Sequence, residues 1–84
     1  MGTYDNIKDR IMRKPTANDI TDKEIKRFLK GFGFELARSN GSHFIYKYKN
    51  SEQTLVLNIP MHSPIKPAYI DQIREAVLRV EGEN

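Results

Sequence analysis

The sequence predicts an α+β domain in which helices cover one face of a three-stranded antiparallel sheet. Three observations carry this. Apolar residues recur at helical spacing before and after the middle of the chain, the middle alternates with a period of two, and short polar loops break the alternation into a meander. With 84 residues the chain has room for one two-layer core and no enclosed substrate chamber, so any ligand meets an open surface.

The elements follow in order. The N-terminal arm YDNIKDRIMRKP (4–15) places Tyr4, Ile7 and Ile11 at i, i+3 and i+7, with Asp5 near the start and Lys14-Pro15 as a stop, and predicts a short helix. A polar connector leads to ITDKEI (20–25), where Thr21 and Glu24 have the T-x-x-E spacing of a capping box. Ile20 and Ile25 can close a hydrophobic staple across that cap. Ile25, Phe28, Leu29 and Phe32 share one helical face, Lys23, Lys26, Arg27 and Lys30 form a solvated one, and Gly33 is the stop.

Beyond Gly33 the period changes. FELAR (34–38), HFIYKY (43–48) and TLVLNI (54–59) read as strands, joined by a turn centred on Asn40-Gly41 and by the polar loop 49–53. Pro60 and Pro64 end the last strand, because proline cannot donate to a ladder. Pro67 suits the first turn of a final helix, in which Ile70, Ile73, Val77 and Val80 make one buried stripe. The expected organisation is an N-terminal helix and connector over 1–19, the main domain over 20–80 and a frayed tail over 81–84.

Without cysteine there is no disulfide framework and no thiolate nucleophile, and two histidines without a thiol partner make a poor zinc site. No apolar run reaches bilayer length, and the charged N-terminus does not resemble a signal peptide. Met1-Gly2 is followed by Asn6 where a myristoylation motif would have Ser or Thr. A soluble, unprocessed, cytoplasmic protein is expected. The net charge of +3 is uneven: residues 21–50 carry seven basic and three acidic groups, whereas residues 51–84 carry three and five. The positive excess around the first hairpin suits a polyanion such as nucleic acid.

Strand parity sends His43, Ile45 and Lys47 to one face and Phe44, Tyr46 and Tyr48 to the other. The three aromatics suit the core, which leaves His43 beside Lys47 on the open face. Such a pair can cleave RNA: an imidazole takes the ribose 2′-hydroxyl proton, the freed oxygen attacks phosphorus, and cations or backbone N–H groups stabilise the phosphate charge. The N–H groups of Gly41 and Ser42 are candidate donors, and the glycine lets a phosphate approach the backbone. An ordinary surface histidine at a strand start fits the same spacing. His62, in PMHSPIKP (60–67), reads either as a loop histidine or as a second catalytic candidate. Lys66 precedes the last helix, whose N-terminus attracts anions, and reads either as a surface lysine or as a phosphate contact.

The run GFGFELARSNGSHFIYKY (31–48), followed by IPMH (59–62) and then Lys66-Pro67 before a C-terminal helix, resembles the HicA (YcfA-like) toxin family over residues 20–80. The resemblance implies a fold like a double-stranded-RNA-binding domain and the activity of an mRNA interferase, the toxin of a type II toxin–antitoxin pair whose antitoxin is HicB. It places the catalytic histidine of the G-S-H motif at His43, with Gly41 and Ser42 beside it and the P-x-H histidine at His62. The extra N-terminal helix and the K-P in place of K-x-G depart from the family pattern. The combined expectation is a metal-independent, cofactor-free endoribonuclease with His43 as general acid/base and Lys47, Lys66 and Arg38 as phosphate contacts. A HicB-type antitoxin is expected to cover the His43 face. The alternative is a non-catalytic RNA-binding module of the same fold.

Overall fold

The first two helices begin where a threonine side chain can cap them. The computed structural model describes residues 3–82, arranged as α1 (Tyr4–Met12), α2 (Asp22–Phe32), β1 (Glu35–Asn40), β2 (His43–Lys49), β3 (Thr54–Pro60) and α3 (Pro67–Gly82). The Thr3 hydroxyl accepts from the Asn6 N–H at 3.3 Å and opens α1. At α2 both halves of the capping box form: Glu24 N–H donates to Thr21 Oγ1 at 3.2 Å, and Thr21 N–H donates to Glu24 Oε1 at 3.0 Å. Ile20 and Ile25 are both fully buried. The helix ends at Gly33, with φ 122°, where the N–H groups of Gly33 and Phe34 both reach Leu29 O, at 3.2 and 2.9 Å.

The sheet is a meander in the order β1-β2-β3, antiparallel throughout. The first turn is shorter than the sequence suggested. β1 continues to Asn40, which pairs with His43, so the turn consists of Gly41 and Ser42 alone. Gly41 has φ 64° and no non-glycine residue takes positive φ among those described, which fits a type II′ hairpin, with its glycine first, better than a turn centred on Asn40-Gly41. The register slips between Leu36 and Arg38, leaving Ala37 as a bulge in this edge strand.

Tyr46, Leu57 and Ile59 face inward from the sheet and pack with Ile25, Phe28 and Leu29 of α2 and Ile70, Ile73 and Val77 of α3. Helices therefore cover one sheet face, and the other is open. The N-terminal helix belongs to this core: Ile7 and Ile11 are fully buried, and α1 packs on α2 and α3. Tyr4 stacks on Phe28 with ring centroids 5.2 Å apart, and the rings of Phe32, Phe34 and Tyr48 continue the series. Arg74 of α3 is buried and donates to the carbonyls of Ile11 and Arg13, both at 3.3 Å, and to Thr16, while pairing with Asp71. A cation there complements the exposed carbonyls and negative dipole at the end of α1.

Lys26 departs from the expected solvated face by lying over the Phe44 ring, 4.6 Å from its centroid. α3 runs through Glu81, which pairs with Lys8, to Gly82. The expected fraying at residues 83 and 84 and the Met1-Gly2 motif lie outside the described residues. No helix among the described residues is long and apolar enough to cross a membrane.

Candidate active site

Two segments distant in sequence meet where β2 begins and β3 ends. His43 is the first residue of β2 and pairs with Pro60, the last of β3. Just beyond, Met61 N–H donates to Ser42 O at 2.6 Å, tying the exit of β3 to the hairpin turn. This carries the chain directly to His62, and the segment then enters α3 at Lys66-Pro67.

The result is a cleft of about 250 Å³ lined by His43, Pro60, His62, Lys66 and Tyr69. Its walls present two imidazoles, one ammonium and one phenol. His43, His62 and Lys66 are exposed, and Tyr69 is half-buried. The carbonyl of Lys66 accepts the N–H groups of Tyr69 at 2.9 Å and Ile70 at 3.2 Å, so Lys66 occupies the N-cap position of α3. A lysine there offers no acceptor to the helix, and the first turn of α3 has no acidic residue. The positive end of the helix and the ammonium thus lie together at the cleft, a charge arrangement that favours an anion.

The other expected contacts stand apart from this cleft. Gly41 and Ser42 form the turn immediately before His43. Lys47 shares the open face with His43, but four residues along a strand separate the two by roughly 13 Å. Arg38 pairs with Ile45 and therefore projects to that same face from β1. The open face also carries Val56, which pairs with Lys47 and is 55% exposed.

Ion pairs engage part of the positive charge. Lys8, Arg10, Arg13, Lys26 and Arg74 all pair with carboxylates on the helices or on the connector before α2. Arg38, Lys47 and Lys66 enter none of the ion pairs found among the described residues, and neither do Lys23, Arg27 and Lys30 of α2.

Sequence reasoning missed Tyr69. Its ring lies beside the apolar stripe of α3, so helical periodicity did not select it. Its spacing of three from Lys66, which puts both on one helix face, was the available signal.

Comparison with known proteins gives one finding. A family model described as the HicA toxin of bacterial toxin–antitoxin matches residues 23–78, from the first turn of α2 to near the end of α3. Searches of curated proteins and of solved structures found no match. The matched span holds most of the chain, including every residue of the cleft. The chain belongs to the HicA toxin family of bacterial toxin–antitoxin systems.

Proposed function

We propose that the protein is a metal-independent endoribonuclease that cleaves mRNA, with His43 as the general acid/base. The observation that carries this reading is the convergence of His43, His62 and Lys66 from separate segments on one cleft. An imidazole removes the proton from a ribose 2′-hydroxyl, and the 2′-oxygen attacks the adjacent phosphorus. The bond from phosphorus to the 5′-oxygen breaks as that oxygen takes a proton from an imidazolium. The products are a 2′,3′-cyclic phosphate and a 5′-hydroxyl. Two imidazoles at one cleft can serve as base and acid, with His62 as the partner of His43. Lys66, at the start of α3, stabilises the charge that accumulates on the phosphate oxygens. Gly41 and Ser42 supply backbone N–H groups beside His43, while Lys47 and Arg38 guide the RNA backbone along the open face.

Replacing His43 by Ala is expected to lower RNA cleavage by at least about a hundredfold, the usual scale for loss of a proton-transfer group. Because the side chain is exposed, the unfolding free energy should stay within about 0.5 kcal/mol of the wild-type value. A folded His43→Ala protein with full activity would refute the mechanism. The unpaired cations outside the cleft also favour a second reading, a non-catalytic RNA-binding module. Incubating RNA with the protein and a chelator separates the two, since only the nuclease yields cyclic-phosphate ends. A HicB-type antitoxin that inhibits by occlusion covers the His43 face and protects it from hydrogen exchange or chemical modification in the complex.

A further inference from the structure

The protein has eight aromatic side chains, and seven of them are accounted for by the fold. Tyr4, Phe28, Phe32, Phe34 and Tyr48 form the stacked series, Tyr46 is buried in the core, and Phe44 lies under Lys26. Tyr69 differs. It packs against the core, lines the cleft, and has neither a ring partner nor a side-chain hydrogen bond among the described residues. Lys66 is its neighbour one helical turn back, and Pro60 lines the same cleft.

We infer that Tyr69 is a stacking platform for one unpaired nucleobase next to the scissile phosphate, which makes single-stranded RNA the substrate form this cleft accepts. The inference rests on the RNA-cleavage reading and adds to it a residue that selects the substrate. Three features favour a base over other occupants. The cleft is smaller than the roughly 300–1000 Å³ of ordinary small-molecule sites and suits one flat ring system. An aromatic face beside a lysine matches a base joined to its phosphate, because bases offer a π-face whatever their sequence. A paired base in an A-form helix has both faces covered by its neighbours, so only an unstacked base can reach the ring.

The test uses short single-stranded RNA blocked against cleavage by 2′-O-methylation, with a fluorescent adenine analogue walked through successive positions. Wild type and Tyr69→Phe should quench the analogue at one position and bind alike, since the hydroxyl is not needed. Tyr69→Leu, which keeps an apolar side chain against the core, should abolish that quench and weaken binding about tenfold, within the range for losing one stacked base. On a cleavable strand the loss should fall in KM more than in kcat. Equal binding by Tyr69→Leu and wild type, or equal competition by a duplex of the same sequence, would overturn the inference while leaving nuclease activity standing. If wild type neither binds nor cleaves RNA, the functional reading fails and takes the platform with it.

Discussion

Glu24 takes part in three interactions through one carboxylate. It accepts the Thr21 N–H at 3.0 Å, meets the Thr21 hydroxyl at 3.3 Å and pairs with Arg10 at 2.7 Å. The Thr21 N–H first, and Arg10 after it, hold the carboxyl below its ordinary range against the opposing effect of burial. Its folded value thus lies below its unfolded one. The stability it contributes is present above the unfolded value and is lost as pH falls through the folded one. Urea midpoints measured from about pH 6 down to pH 3 should decline on the acid side, and Glu24→Gln should flatten part of that decline. Thr21→Ala, which leaves the Glu24 N–H without its cap, should cost about 1 kcal/mol. The cap was legible in the sequence because its partners are three residues apart, whereas Arg10 was not, because that pair depends on how α1 docks. The site divides in the same way. His43, His62 and Lys66 stood out by residue type and local setting, but their convergence depends on the Met61–Ser42 hydrogen bond, which no spacing encodes.

At the scale of elements, α2 contains a glycine where helix propensity disfavours one. A Cβ on Gly31 would lie 2.6 Å from Tyr4 Cδ1, so the bare backbone is what lets the α1 ring lie against α2. Propensity alone would have Gly31→Ala stabilise the helix by about 1 kcal/mol. The clash should reverse the sign and destabilise the protein by about 1–3 kcal/mol, the usual range for overpacking. Thermal melts check this directly. A Tyr4→Leu background, with a smaller and more adaptable neighbour, should recover part of the loss. The sequence revealed the helices by their apolar stripes and the strands by alternation. It placed the first turn too early because Asn-Gly is a strong local turn signal, whereas pairing of Asn40 with His43 keeps β1 going for two residues past the expected end. The bulge at Ala37 was likewise invisible, since it concerns register between strands rather than a pattern within one.

For the whole molecule, α1 lies outside the span matched by the family and yet inside the core. A chain beginning at residue 20 would lose the buried Ile7 and Ile11, worth about 1.5–3 kcal/mol each. It would also leave Arg74 without two carbonyl acceptors and Thr16. Such a truncation should melt without a cooperative transition, a result that circular dichroism would show at once. The sequence set α1 apart as an arm because its stripe is short, and only the packing of three helices shows what that stripe covers. The distribution of ion pairs bears on RNA binding at the same scale. If Lys47 contacts a phosphate, Lys47→Ala should reduce the slope of log affinity against log salt by about 0.7 for a single strand, with no loss of stability. The basic excess of residues 21–50, seven cations against three acidic groups, also concerns events before contact. A surface with such an excess draws a polyanion toward it before the two touch. The encounter rate, not only the final affinity, then falls as ionic strength rises.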